Sequence, residues 1–217
     1  LSADYSQIEY RLAVHFSGDQ GMIVRYAAHP DTDYHSETAE LCGIDRRKAK
    51  TVNFGILYGM GARSLSSLLD VSESSARDLL ELVFSKRPAL RRLIGDVEAE
   101  ARRNRSVSTP FGRRIVVPEK KCFVALNYLL QGTASDVVKR AMVRLSKALR
   151  EGPPGLELHL QLHDELVLSV PFRLVSDAVR ILRSTMERFP EISVPLRCNF
   201  SSGSDWGSME RLKNSGF

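Results

Sequence analysis

Arg46–Gly61, RRKAKTVNFGILYGMG, is the stretch around which the rest of the chain is organised. Its pattern predicts one helix that ends in a glycine stop. Asp45 can cap the start, because a short carboxylate accepts the orphan N–H groups of a first turn. Gly59 and Gly61 flank Met60 and can end the helix, since glycine tolerates the left-handed conformation that closes one. Between them Arg46, Lys50, Phe54 and Tyr58 recur at every fourth residue. Each such step overshoots a full turn, so the four form a slanting stripe about 18 Å long. Two cations lead the stripe and two aromatic rings follow. A nucleoside triphosphate has the same polarity, with phosphates at one end and a flat base at the other. The cations also lie near the helix N-terminus, where the macrodipole favours anions.

A plain amphipathic surface helix with solvated cations accounts for Arg47 and Lys48. It accounts less well for the stripe, where Gly55 follows Phe54 and Gly59 follows Tyr58. Each glycine lowers helix propensity by about 1 kcal/mol. The backbone there is expected to be closely approached, by a ligand or by a tightly packed helix.

The 217 residues suffice for one large domain or two small ones. A hydrophobic content of 43% and a charged content of 26% are ordinary for a soluble globular chain. A net charge of +5 fits a nucleic-acid partner without requiring one. Clustering says more, since Arg102, Arg103, Arg105, Arg113 and Arg114 crowd one short region. Cys42, Cys122 and Cys198 are far apart and form no CxxC pair, so neither a zinc site nor a disulfide framework is signalled, and a reducing compartment is the default. No apolar run has the length of a membrane span, and no signal peptide is recognisable. Without an initiator Met, Leu1 is expected to lie inside a longer protein.

Leu1–Asp4 reads as the end of a strand, and Ser6 can then cap a helix through about Phe16, with Ile8 and Leu12 facing the core. Asp4 thus sits at a strand end, a common place for a catalytic or metal-binding carboxylate and also for a plain turn residue. A second helix runs to about Ala28, and a third, Tyr34–Cys42, carries His35. After the central helix come segments at about Ser64–Leu69, Ser72–Ser85 and Pro88–Arg105. Val107–Val117 reads as a hairpin around Thr109-Pro110-Phe111-Gly112. Arg113 and Arg114 leave that turn and, with the cluster before it, favour a clamp on phosphate backbone over a merely solvated loop. Lys121–Arg150 is the longest expected helix, with Asn127 and Gln131 four apart on one face.

Leu156–Val170, LELHLQLHDELVLSV, alternates leucine with polar residues, as half-buried strands do. His163-Asp164-Glu165 should be the tight turn between two antiparallel strands. A final helix is expected over Arg173–Phe189 and a strand over Val194–Phe200. Asp4 and Asp164 therefore both lie at strand ends. Two carboxylates holding two Mg²⁺ ions would serve in-line displacement at phosphorus. Magnesium takes oxygen ligands and keeps water or substrate phosphate in its shell, so two Asp suffice. Arg46 and Lys50 would neutralise charge on the triphosphate.

These residues carry a resemblance. Asp4-Tyr5-Ser6-Gln7-Ile8-Glu9 with Arg11 resembles motif A of the family A DNA polymerases. Arg46, Lys50, Asn53-Phe54-Gly55 and Tyr58-Gly59 resemble motif B, and His163-Asp164-Glu165 resembles motif C. Gln131-Gly132-Thr133-Ala134 and Phe111-Gly112-Arg113-Arg114 are also similar to segments of that family. The resemblance covers nearly the whole chain, and it implies an α+β fold. An antiparallel palm sheet would come from residues 1–18 and 119–217, with a largely helical fingers subdomain at 19–118 inserted in it and no thumb. It implies that Asp4, Asp164 and the carbonyl of Tyr5 ligate the metals, with Glu165 close by. Glu9 would exclude a ribose 2′-hydroxyl, and Gln7 would belong to the substrate site. His35, Arg46 and Lys50 would contact triphosphate, Phe54 the sugar and base, and Tyr58 a stacking position on the template side. Asn127, Gln131 and His163 would line the minor groove of primer–template DNA.

Three departures stand out. The link from His35 to Arg46 is shorter than usual in the family, Phe123 replaces an arginine one turn before Asn127, and Ile115 stands where a third arginine often follows Gly112. The resemblance implies template-directed DNA synthesis from dNTPs in replication or repair, with two Mg²⁺ ions and the upstream part of the same polypeptide as partner, and no membrane. The site of action would be the cytoplasm and nucleoid of a bacterial or phage system, or an organellar matrix. A single-subunit RNA polymerase is disfavoured by Glu9 with Phe54-Gly55. A decayed DNA-binding subunit is disfavoured by the presence of Asp4, Lys50 and Asp164, which mere binding does not need.

Overall fold

Leu1 already belongs to a sheet: its amino group donates to the Leu168 carbonyl at 3.0 Å, and its own carbonyl accepts from the Leu168 N–H at 2.8 Å. The computed structural model describes residues 1–212. In chain order the elements are β1 (Ser2–Tyr5), α1 (Ile8–Ser17), α2 (Gln20–Ala28), α3 (Tyr34–Cys42), α4 (Arg46–Leu57), α5 (Ala62–Leu69), α6 (Glu73–Lys86) and α7 (Pro88–Asn104). There follow β2 (Ser106–Ser108), β3 (Arg114–Val116), α8 (Ala125–Glu151), β4 (Glu157–Leu162), β5 (Glu165–Ser169), α9 (Val175–Met186), β6 (Cys198–Ser202) and β7 (Glu210–Arg211). The chain divides into two compact units, one of Leu1–Leu12 with the chain from Thr133 onward, the other of Ala13–Gly132. Helices and antiparallel strands together make the expected α+β composition.

In the first unit five strands lie in the order β4-β5-β1-β6-β7, every pair antiparallel. β1 is central, pairing Asp4 with Glu165 on one side and with Asn199 on the other. Leu166, Val167 and Leu168 of β5 are all buried, as an interior strand requires. Ala178, Val179, Leu182 and Met186 form the buried stripe of α9. The Tyr5 hydroxyl donates to the Met186 carbonyl at 2.7 Å, fastening β1 to the end of α9.

The second unit is helical apart from the β2–β3 hairpin. Its helix starts follow local capping: Asp19, Asp33, Asp45 and Ser72 each accept a backbone N–H with their side chains, and Pro88 opens α7. Ala49, Val52, Asn53 and Ile56 form the buried face of α4. Ile115 of the hairpin fills the space that a Cβ at Gly132 would occupy, so the hairpin seats directly on the α8 backbone. The residue standing in place of a third arginine is thus a packing residue.

Several boundaries differ from expectation. Helix α4 stops at Leu57 rather than at Gly61, with Tyr58 as its C-cap residue. Gly61 instead precedes the first turn of α5 with an extended φ of −80°. A Cβ at Gly55 would lie 3.4 Å from Leu65 Cδ1, so this side of α4 faces α5 with little room to spare. Ser6 is not the cap of α1: Gln7 turns the chain with φ +52°, and its carbonyl takes the N–H groups of Tyr10 and Arg11. Helix α8 begins at Ala125 after a 3-10 segment, Glu119–Val124, whose Lys121 is non-helical.

β4 does not bury alternate leucines, because it is an edge strand in which the register shifts between Leu158 and Leu160. Glu165 lies in β5, leaving His163-Asp164 as a two-residue turn. α9 ends at Met186, shortly before Phe189-Pro190, since proline disfavours helix in the residue preceding it. β6 starts only at Cys198, because Pro195 has no N–H to give a ladder.

Gly59 has φ +71°, and a Cβ there would collide with the Phe123 carbonyl oxygen. Gly59→Ala should lower stability by about 1–2 kcal/mol for the left-handed backbone alone, and further for the collision. Gly61→Ser, at an open N-cap position, should stay within about 0.5 kcal/mol of the parent. Urea unfolding of the two variants checks this.

Candidate functional site

The pairing of β1 with β5 puts acidic groups together. Asp4 faces Glu165 across the ladder, and Tyr5 N–H donates to the Asp164 carbonyl at 3.3 Å. Burial first, and then the nearby charges of Asp164 and Glu165, push the Asp4 carboxyl up to about 7. Burial also raises Asp164, opposed by its own backbone N–H and by His163. Hard oxygen donors that repel one another in a half-buried setting fit a divalent cation. Among the described residues, no group of three or more His, Cys, Asp or Glu side chains is arranged to hold a metal. Two carboxylates would therefore need oxygens from the backbone, water or a substrate to complete a magnesium shell.

The turns beside these carboxylates are strained. Gln7 and His163 have φ of +52° and +51°, in the left-handed region that non-glycine residues rarely occupy. Arg11, buried among the described residues, holds the first turn by donating Nε to the Ser6 carbonyl at 2.8 Å and an Nη to the Pro195 carbonyl at 2.7 Å. Asn199, paired opposite Asp4 on β6, accepts from the Arg211 guanidinium at 2.5 Å. Arg11 was named within the motif A resemblance without a role, and Asn199 was not singled out. The positional signal for Arg11 was an arginine within an otherwise apolar helix face.

In the helical unit a chain of buried polar groups links three helices. An Arg87 Nη donates to the Thr38 hydroxyl at 2.8 Å, which lies 3.0 Å from Asn53 Oδ1, and Asn53 Nδ2 lies 3.2 Å from His35 Nδ1. The Arg87 guanidinium also covers the Tyr34 ring at 3.8 Å. The amide donating to Nδ1 leaves the imidazole proton on Nε2. Burial, aided by Arg46, Lys50 and Arg87 against the opposing Asp33, drives His35 down to about 4, so the ring is neutral at pH 7. This cluster was not anticipated, although Asn53 within an apolar stripe was its visible sign.

On the α4 stripe, Arg46 pairs with Asp33 at 2.6 Å and Lys50 Nζ lies 5.8 Å from the Phe54 ring centre. The rings of His35, Phe54 and Tyr58 follow one another at 5.8 and 5.5 Å. Tyr58 then lines a cavity of about 450 Å³ with Lys121, Phe123, Asn127, Tyr128 and Gln131 among its walls. At the hairpin, Arg114 donates to the Ser106 hydroxyl at 2.9 Å and to the Asn104 carbonyl at 3.3 Å, so part of its donor capacity braces β2.

The sequence profile of DNA polymerase family A matches residues 1–208. The chain belongs to DNA polymerase family A. It is similar to DNA polymerase I of Chloroflexus aurantiacus, at 37% identity over 98% of this chain and 24% of that protein. With the thermostable DNA polymerase I of Thermus filiformis the identity is 40%, over 95% of this chain and 26% of the relative. The solved POL domain of Pol1 from M. smegmatis, in complex with DNA primer-template and dNTP, superposes with a TM-score of 0.83 at 30% identity, covering 91% of this chain and 38% of that one. The chain thus spans about a quarter of the length of the curated family A relatives. Among the described residues no helix is long and apolar enough to cross a membrane.

The residues singled out from the family A motifs fall into two sets. Asp4, Tyr5, Gln7, Glu9, His163, Asp164 and Glu165 belong to the sheet unit, where Asp4, Asp164 and Glu165 are neighbours. His35, Arg46, Lys50, Phe54, Tyr58, Arg113, Arg114, Asn127 and Gln131 belong to the helical unit. There His35, Lys50, Phe54 and Tyr58 form one ladder, and Tyr58 meets Asn127 and Gln131 at the cavity.

The depressed His35 has a consequence for stability. Between pH 6.5 and 4 the unfolded chain binds the proton that folded His35 refuses, so this group's contribution falls as pH falls through that window. Lowering pH from 7 to 5 should cost the parent about 2 kcal/mol more than a His35→Gln variant, as read from urea midpoints at both pH values.

Proposed function

We propose that this chain is the palm and fingers portion of a DNA-directed DNA polymerase, which transfers a dNMP from dNTP to a primer 3′-hydroxyl. The palm would comprise residues 1–18 and 119–217, and the fingers residues 19–118. The observation that carries the reading is the Asp4–Asp164–Glu165 grouping, with Asp4 lifted by burial and mutual repulsion and flanked by two left-handed turns. Family membership and the DNA and dNTP bound by the M. smegmatis relative support it.

Asp4 and Asp164, with the Tyr5 carbonyl, would hold two Mg²⁺ ions, and Glu165 would keep the surroundings acidic. Bound there, the ions would activate the attacking hydroxyl and offset charge on the leaving pyrophosphate. The remaining work falls to side chains. Lys50 and Arg46, on the first turns of α4, would bind the triphosphate where the helix dipole assists, Arg46 exchanging Asp33 for phosphate. Neutral His35, protonated at Nε2, can donate a hydrogen bond to a phosphate oxygen without adding charge. Phe54 would bound the sugar and base, Gln7 would help form the nucleotide site, and Tyr58 would stack on the template side. Asn127, Gln131 and His163 would read the minor groove of primer–template DNA, and Arg113 and Arg114 would hold its backbone.

Asp164→Asn should abolish most nucleotide incorporation in the intact enzyme while leaving primer–template affinity within a few-fold. Single-turnover extension alongside a DNA-binding titration measures both, and near-normal incorporation would defeat the assignment. Sugar selection gives an independent check. Glu9 lies in the first turn of α1, five residues beyond Asp4, where a carboxylate can crowd a 2′-hydroxyl. Glu9→Ala should raise rNTP relative to dNTP incorporation by at least tenfold, on the order of the 1.4 kcal/mol such a clash supplies. An unchanged ratio would place selection elsewhere.

A further inference from the structure

Phe123 is 52% exposed although apolar, and it lines the cavity described above. Its position is fixed from behind. Its carbonyl occupies the place of a Gly59 Cβ, and its ring carbon Cδ2 lies 3.3 Å from that same point. Only the left-handed Gly59, at φ +71°, lets the ring approach the end of α4 so closely. Tyr58, the residue before that glycine, and Tyr128, five residues after Phe123, give the cavity two more rings. Asn127 and Gln131 add amides that both donate and accept, and Lys121 adds one cation.

This combination has a specific chemistry. Aromatic faces stack on any nucleobase, amides pair with base edges, and a single lysine meets a single phosphate. We propose that Phe123 is a stacking face for a template-strand base at the primer–template junction, held in this cavity together with Tyr58 and Tyr128. The proposal rests on the polymerase reading and deepens it. Where the family pattern has an arginine, this chain uses a neutral ring, so base stacking replaces a charge contact. An arginine on phosphate makes affinity depend on salt through counterion release, whereas a stacking ring does not.

The test uses the intact enzyme and a primer–template carrying 2-aminopurine as its first unpaired template base, titrated over a range of KCl concentrations. Phe123→Ala should weaken binding on the order of tenfold at every salt concentration, with an unchanged salt slope and brighter 2-aminopurine emission. Phe123→Trp should keep the parent's affinity and quenching. Phe123→Arg should recover affinity at low salt only, with a log–log slope steeper by about 0.9. Because the side chain is exposed, thermal melts of all three variants should match the parent. If Phe123→Ala matches the parent in affinity, slope and emission while primers are still extended, the inference is overturned and the polymerase reading stands. A parent that neither binds nor extends the substrate overturns both.

Discussion

The pairing of β1 between β5 and β6 is the constraint on which the sheet unit depends. Asp4 stands opposite Glu165 on one side and Asn199 on the other, and Tyr5 donates its N–H to the carbonyl of Asp164 in the turn beyond β4. Three carboxylates near one another oppose folding, and Asp4 responds by becoming hard to ionise. What holds them together is the apolar and hydrogen-bonded material beneath. Ala3 and Leu166 are fully buried, the Tyr5 hydroxyl is tied to Met186, and Glu187 accepts the Cys198 N–H at 2.9 Å while pairing with Arg197 at 3.0 Å. Backbone pairing and a buried tyrosine thus keep mutually repelling charges in one place.

The helical unit solves a related problem with polar groups instead of apolar ones. Thr38 and His35 of α3, Asn53 of α4 and Arg87 at the junction of α6 and α7 form one network, and each satisfies the next. A buried network of this kind gains its value from completeness, since one missing partner leaves a desolvated polar atom. It also locks the face of α4 from which Lys50, Phe54 and Tyr58 project. The stripe is therefore oriented by residues that pack behind it, of which His35 also lies against the Phe54 ring.

Much of this was legible because it is local. The starts of α4, α6 and α7 follow from Asp45, Ser72 and Pro88, each acting within one turn. The carboxylates at strand ends and the cation–aromatic stripe were readable from spacing. What was not readable depended on distant partners. The leucines of β4 alternate faultlessly, but the strand lies at an edge and its register slips. Arg87 meets Thr38 across 49 positions, and nothing near either residue announces the other. Gly59 was visible as a helix stop, whereas the close approach of Phe123 to it was not.

The slip in β4 matters beyond registry. An edge strand offers a row of unpaired N–H and C=O groups, and with Leu160 43% exposed it would invite another chain to extend the sheet. The shift between Leu158 and Leu160 interrupts that row after its first residues, and Glu157 and His159 place polar side chains along it. An incoming strand would lose its ladder at the bulge and meet a carboxylate before it. The irregularity that spoils the leucine alternation therefore also protects the sheet against edge-to-edge aggregation.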